Sequence, residues 1–360
     1  MSEIVLYPGN WLYNAGVVGL LRVLEELGEK LENYLKNDGC IDISVSQSSD
    51  KIFNKWNALT EDRLKQSYKG KKGGTKSYYY ANQTENSIKE KIDDFISPPK
   101  SRRGKKRVCV FCSKNEVARS KDIKPLTQAY SKVLIGAVDN FYWNSIPNDY
   151  ICSRCKFVIM CHHIAFTKLS NDSEIFINAP SFEVMWYLNK YAREAYGREK
   201  IKATKEILGI SLIEAVLKLH IQLGKWTMMN IEVVNKYKTI IDEKTKIDKV
   251  DFFSLPYEIV LLLSDNEIAS LLDDVGEFSV LNLVLDGNFR GILELAERIF
   301  KIVLKPEEEK RRQGKKSTSK KFIDDKVRLE RNKKNLISFS QKLFKLYALI
   351  EEKTKKEVYV

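Results

Sequence analysis

The sequence predicts an α+β protein: an N-terminal α+β domain over residues 1–180 that contains a four-cysteine insertion at 109–155, then a predominantly α-helical domain over 181–360. Three observations predict it. Apolar residues recur at three- and four-residue steps from residue 12 onward, which is helical period. Short segments at 41–45 and 174–177 have strand character. Beyond residue 200 most apolar clusters return to helical spacing.

Taken in order, Tyr7-Pro8-Gly9-Asn10-Trp11 is a turn, and the helix after it carries Val17, Leu20, Leu21, Leu24 and Leu27 on one face. Ala15, Gly16 and Gly19 are small enough to let another backbone approach that helix closely. Residues 41–45 alternate as a strand, and 52–64 read as a helix. Residues 68–76, rich in Gly and Lys, have no apolar period and read as a loop. Strands are expected at 163–169 and 174–177, and Ser181 is the expected N-cap of a helix reaching Tyr196. Residues 207–223 are apolar on more than one face, as in a buried helix. A strand is expected near 226–234, with helices at 256–263, 267–272, 290–304 and 326–352.

With 360 residues the chain is long enough for more than one core. Its 43% hydrophobic content is ordinary for a globular protein. No apolar run approaches the roughly 20 residues that cross a bilayer, and MSEIVLYPGNW has no basic and apolar leader. A soluble, cytoplasmic chain with no membrane partner is the expectation. The net charge of +13 is concentrated: residues 51–107 carry +10 and residues 305–321 carry +5. Positive charge gathered into polar stretches suits a polyanion, whereas a solvated surface is the simpler alternative.

Four of the six cysteines form two identical pairs, Cys109/Cys112 and Cys152/Cys155. In a reducing compartment such pairs are metal ligands or redox groups rather than structural bridges. A redox dithiol needs one pair, placed where a helix starts after a strand. Two pairs supply four thiolates to one tetrahedral Zn²⁺, each pair in a tight knuckle. The insertion is therefore read as zinc-finger-like. A closed four-cysteine site leaves no coordination position for substrate, so the metal is structural. Cys161, His162 and His163 follow closely as substitute ligands, although the set is complete without them. His162 and His163, if on a strand, would point to opposite faces. Cys40 reads as a buried small residue.

Catalytic patterns are missing. An HNH nuclease needs a histidine before the second pair, yet residues 113–151 hold none, and no histidine is followed by aspartate. The sequence has no phosphate-binding P-loop, dinucleotide fingerprint or nucleophile elbow. The chain is expected not to be an enzyme.

The run from Tyr7 to Arg22, together with the two cysteine pairs, resembles the CXXC–CXXC class of CRISPR-associated proteins (the Cst class, Cas family eight), large subunits of type I-B Cascade surveillance complexes. The resemblance covers about the first 160 residues. It implies a non-catalytic antiviral-defence subunit that contacts the crRNA near its 5′ handle and recognises the protospacer-adjacent motif in target double-stranded DNA. The implied partners are the backbone and handle-capping subunits, the small subunit and a recruited helicase-nuclease. In some relatives the helical C-terminal part is also made separately, and Met228 and Met229 stand where such a product would start. Pairing reads sequence in such systems while protein tracks phosphates. The candidates for that task are Lys65, Lys69, Lys71, Lys72 and Lys76, then Arg102, Arg103, Lys105, Lys106 and Arg107 before the first pair, and Lys315 and Lys316. Tyr78 and Tyr79 are candidates for stacking on a base, against the simpler reading of a half-buried strand. The competing functions are a free-standing zinc-stabilised nucleic-acid binder and a metal-dependent nuclease.

Overall fold

The computed structural model describes residues 4–36, 38–67, 85–98, 105–118, 123–125, 148–169, 173–196, 204–219, 230–240, 246–304 and 333–357. They form a mixed, mostly helical fold, divided into two compact units. The first comprises Met1–Asn189 with Asn230–Phe253, the second Lys190–Met229 with Ser254–Val360.

In the first unit, strand β1 (Ile4–Leu6) pairs antiparallel with β2 (Ile41–Ile43). Between them runs helix α1 (Trp11–Glu25), started by Asn10, whose side chain accepts from the Tyr13 N–H at 3.0 Å. Burial runs around almost all of α1, from Leu12 to Leu21 without a break, so it is a central core helix rather than a one-faced surface helix. Leu27 lies past its end. Helices α2 (Ser49–Ser67), α4 (Ser153–Met160) and α5 (His162–Ala165) pack on it, and α3 (Glu85–Ile96) packs on α2 and α4. Ile88, Ile92 and Phe95 are the buried stripe of α3, and Phe95 packs on Phe157 of α4 with ring centres 5.8 Å apart.

The strand expected at 163–169 is corrected. Residues 162–165 are helical, and only Thr167–Lys168 pair, as β7. The helix begun at Cys152 breaks at Cys161 and resumes for one turn, in which the Ile164 N–H donates to the Cys161 carbonyl at 2.9 Å. His162 and His163 therefore do not face opposite ways. Their rings meet edge-on at 5.6 Å, both buried.

β7 continues into an antiparallel sheet with β8 (Glu174–Asn178), β9 (Glu232–Ile240) and β10 (Lys246–Phe253), in the order β10-β9-β8-β7. Of the strand expected near 226–234, residues 226–229 lie outside the described residues, and the strand begins at Glu232 as the first arm of a hairpin reaching Phe253. Opposite Ile177, before β7 has begun, the side chain of Asn189 pairs in its place. Its Oδ1 accepts from the Ile177 N–H at 2.9 Å, and its Nδ2 donates to the Ile177 carbonyl at 2.7 Å. Asn189 belongs to α6 (Phe182–Tyr196), whose first turn is capped by the Ser181 hydroxyl accepting from the Val184 N–H at 3.5 Å.

The second unit, as far as it is described, is helical: α7 (Thr204–Leu219), α8 (Tyr257–Leu263), α9 (Asn266–Val275), α10 (Phe278–Leu285), α11 (Phe289–Leu304) and α12 (Lys333–Glu357). Asp265 caps α9 by accepting from the Glu267 and Ile268 N–H groups, and it also pairs with Lys353 of α12 at 2.6 Å. Gly276 ends α9 at φ 60°, a left-handed position that glycine adopts without strain. Helices α11 and α12 pack together, and Ser340 donates to the Ala296 carbonyl at 2.9 Å.

Candidate metal centre

Two different local structures deliver the four cysteines. The first pair occupies the turn of a ribbon formed by β3 (Lys105–Val108) and β4 (Asn115–Ala118). The Cys109 N–H donates to the Lys114 carbonyl and the Ser113 N–H to the Cys109 carbonyl, both at 2.9 Å. Ser113 stands at φ 56°, a left-handed conformation that a non-glycine residue adopts where a tight turn requires it. A knuckle results, as the spacing predicts.

The second pair is not a knuckle. It follows β6 (Asn148–Tyr150), which pairs with β5 (Ile123–Pro125), and it opens α4. Cys152 is the N-cap, and its Sγ accepts from the Cys155 N–H at 3.4 Å. The two halves are joined directly: the Val110 N–H donates to the Tyr150 carbonyl at 3.1 Å, and the Cys152 N–H donates to Cys109 Sγ at 3.3 Å.

All four sulfurs lie within 4.8 Å of one another, and those of Cys112 and Cys152 are 3.6 Å apart. Sulfurs bound about 2.3 Å from one zinc form a tetrahedron with edges of about 3.8 Å. The set fits that metal in number, chemistry and spacing. Cys109, Cys152 and Cys155 are buried, and Cys112 is half-buried.

The electrostatics make the same case. Hydrogen bonds from Cys112 foremost, then from Cys152 and Cys155, hold the Cys109 thiol well below its ordinary value. The contact with Cys109 is also the largest of those that push Cys152 and Cys155 upward. Four sulfurs this close cannot all ionise alone: Cys109 and Cys112 are held below the ordinary thiol value, while Cys152 and Cys155 are pushed above it. A dication removes that conflict and lets all four become thiolates, aided by the helix N-terminus at Cys152.

The sequence signals around the pairs have definite partners. A Cβ on Gly16 would stand 2.5 Å from the Val158 carbonyl oxygen, and one on Gly19 would overlap that of Cys161. The small face of α1 is therefore where the backbone of α4 lies, which seats the second pair in the core. Arg22 fixes the next turn by donating to the Ile164 carbonyl at 2.9 Å, and Trp56 Nε1 donates to the Met160 carbonyl at 3.2 Å. On the knuckle side, Phe111 stacks on Tyr13 of α1, with centroids 6.3 Å apart and planes 14° from parallel.

His162 and His163 stand outside the sulfur cluster. His162 Nδ1 donates to the Ile159 carbonyl, and His163 Nε2 lies 2.9 Å from the Thr60 hydroxyl. Cys40 is buried, and desolvation foremost pushes its thiol up to about 11.

Of the basic candidates, Lys105, Lys106 and Arg107 form β3, opposite Ala118, Val117 and Glu116, and Lys106, Arg107 and Val108 are exposed. Lys65 lies within α2. Lys69, Lys71, Lys72, Lys76, Tyr78, Tyr79, Arg102, Arg103, Lys315 and Lys316 lie outside the described residues. No helix among the described residues is long and apolar enough to cross a membrane.

Residues 102–167 match the model of a family described as CRISPR-associated protein (Cas_CXXC_CXXC). No curated protein and no solved structure matches the chain. The matched segment takes in both cysteine pairs, the ribbon before the first and the helices after the second. It supports a CRISPR-associated protein, and with that an association with other CRISPR components.

Proposed function

We propose that the chain is a non-catalytic large subunit of a type I CRISPR surveillance complex, in which a structural zinc held by Cys109, Cys112, Cys152 and Cys155 braces a basic ribbon against nucleic acid. The ribbon serves the crRNA near its 5′ handle and the adjacent motif of the target duplex, and another component breaks the DNA. The observation that carries this reading is a coincidence of place. The segment with the family likeness holds both the four-sulfur cluster and the exposed cations Lys106 and Arg107.

The zinc, when bound, supplies cross-linking and charge neutralisation. The protein's own part is to hold the ribbon. Its turn is tied at one side to the Tyr150 carbonyl and at the other to the phenol ring of Tyr13. A two-stranded ribbon fits the DNA major groove, and cations at its free end suit phosphates and base edges. Lys65, Lys69, Lys71, Lys72, Lys76, Arg102 and Arg103 would extend the same basic surface, with Tyr78 and Tyr79 for stacking. Lys315 and Lys316 would meet the displaced strand or the guide.

The test is co-purification. The full chain, expressed with the CRISPR proteins encoded beside it and a guide array, should retain crRNA and several Cas subunits. With Mg²⁺ or Mn²⁺ the chain alone should leave labelled DNA intact. A lone protein that binds varied nucleic acids would favour the free-standing zinc-stabilised binder, and cutting by the isolated chain would favour a nuclease.

A further inference from the structure

We infer that Tyr7 is a stacking platform for an unpaired nucleotide base, held beside the basic ribbon so that one single strand meets the ring and the cations together. The inference rests on the nucleic-acid reading above and adds a contact that neither the cysteine pairs nor the lysine-rich stretches reveal.

The first ground is the ring itself. Tyr7 is 63% exposed, the most of any large hydrophobic side chain among the described residues, and it follows β1 directly. Among the described residues no hydrogen bond, ion pair or ring contact involves it. A lone exposed aromatic is ordinary on a protein surface, so its mounting and its neighbours decide its meaning.

The second ground is that mounting. The buried Asn14 carboxamide closes on Gly9 in both directions: its Oδ1 accepts from the Gly9 N–H at 2.8 Å, and its Nδ2 donates to the Gly9 carbonyl at 3.0 Å. The same Nδ2 donates to Asn178 Oδ1 at 2.8 Å, and Asn178 donates to Glu232, which ties residues 7–10 to β8 and β9. Pro8 fixes its own φ. Asn10 caps α1, and Trp11 meets Phe166 and Phe252 edge-on, each with ring centres 6.3 Å away. A ring carried on so braced a backbone loses less freedom when a ligand covers it.

The third ground is what lies alongside. A Cβ on Gly9 would stand 3.4 Å from the Phe111 carbonyl oxygen, so this segment runs against the turn of the β3–β4 ribbon. Tyr7 is two residues from that contact and Arg107 four, which keeps them within about 30 Å of each other even with both links fully extended. The ribbon carries Lys105, Lys106, Arg107 and Lys114 against one carboxylate, Glu116, and Lys106, Arg107 and Val108 are exposed. An acidic protein segment would satisfy the cations alone. A nucleotide satisfies both parts, since it brings a phosphate and a flat π surface, and bases of any kind stack on an aromatic ring.

The experiment titrates the full chain, wild type and variants, with single-stranded oligouridylate, single-stranded oligothymidylate and a blunt DNA duplex over a range of salt. Each single strand carries one 2-aminopurine, whose emission falls when it stacks. Tyr7→Ala is expected to bind the single strands roughly 10-fold more weakly and to lose the quenching, with its salt slope and melting temperature unchanged. Tyr7→Phe, which keeps the ring, is expected to bind as the wild type does. A loss confined to RNA would assign the base to the guide and one confined to DNA to a displaced target strand, and either supports the proposal. Equal affinity of Tyr7→Ala and wild type for both strands would overturn it and leave the roles of Lys106 and Arg107 standing. An equal loss on the duplex would overturn it too, as would loss of co-purifying subunits with strand binding intact, which marks a protein contact. A wild type that binds neither strand nor duplex would remove the nucleic-acid reading together with it.

Discussion

Cys109 and Cys112 sit on the turn of a ribbon that exposes Lys106, Arg107 and Val108, whereas Cys152 and Cys155, with the same spacing, open a helix sunk in the core. Among the described residues the knuckle is held by two hydrogen bonds across its turn, by bonds to the Tyr150 carbonyl and from the Cys152 N–H, and by the Phe111–Tyr13 stack. The helix is fixed by the small face of α1, by Arg22 and Trp56 on the two carbonyls that follow, and by Phe95 on Phe157. The ribbon pair is the more lightly braced jaw and the helix pair the fixed one. The difference teaches that identical spacing says what two sulfurs bind, while the surrounding packing says which of them the metal has to hold.

The largest effect that can break this comparison comes from the fixed jaw. Gly19→Ala puts a methyl group into the Cys161 carbonyl oxygen, in backbone that has no room to yield. A loss above about 4 kcal/mol is expected, enough to prevent recovery of folded protein. Soluble Gly19→Ala with a native melting temperature would show that α4 is not seated as described.

Metal removal comes next. Chelation should release one zinc per chain and lower stability by about 3 kcal/mol, a shift of roughly 6–12 °C. Amide exchange should localise the loss: residues 105–114 should lose protection while 153–160 keep theirs. Equal loosening of both segments would contradict the fixed-jaw reading. Chelated protein should also be alkylated first at half-buried Cys112. Cys40 should stay silent at neutral pH, because a thiol pushed up to about 11 remains protonated until the pH nears that value.

The smallest effect on the fold, and the one that bears on function, is at the ribbon's free end. Replacing Lys106 and Arg107 by alanine should change stability by less than about 0.5 kcal/mol, since both are exposed. Binding to nucleic acid should weaken, and its salt slope should fall by about 2 if each cation meets one phosphate. An unchanged slope would make both residues ordinary solvated surface.

Much of this was legible in residue types and spacing. Two C-x-x-C pairs announce a shared tetrahedral metal wherever the chain brings them together. Gly16 and Gly19 announce a close backbone contact, though not whose. The hidden parts have physical reasons. Helix α3 buries Ile88, Ile92 and Phe95 among charges, inside a stretch whose basic composition dominates its reading. The hairpin of β9 and β10 is rich in Lys and Asp, and Asp251, Phe252 and Phe253 are exposed in succession, so no apolar alternation marks it. Residues 162–165 have no helical stripe because all four are buried, and burial on every side erases period. Tyr13, amid Leu12, Asn14 and Ala15, reads as one more core aromatic until its ring is found stacked on Phe111.

Asn189 has a further consequence. A sheet margin buried inside the fold has no water to turn to, so backbone groups left bare there carry their full desolvation cost. By presenting its own carboxamide to both backbone groups of Ile177, a single side chain seals the margin that the two-residue β7 leaves open. Asn189→Leu would keep the bulk but strand both groups where no solvent reaches, since Ile177 and Asn189 are buried, and the loss would fall on stability.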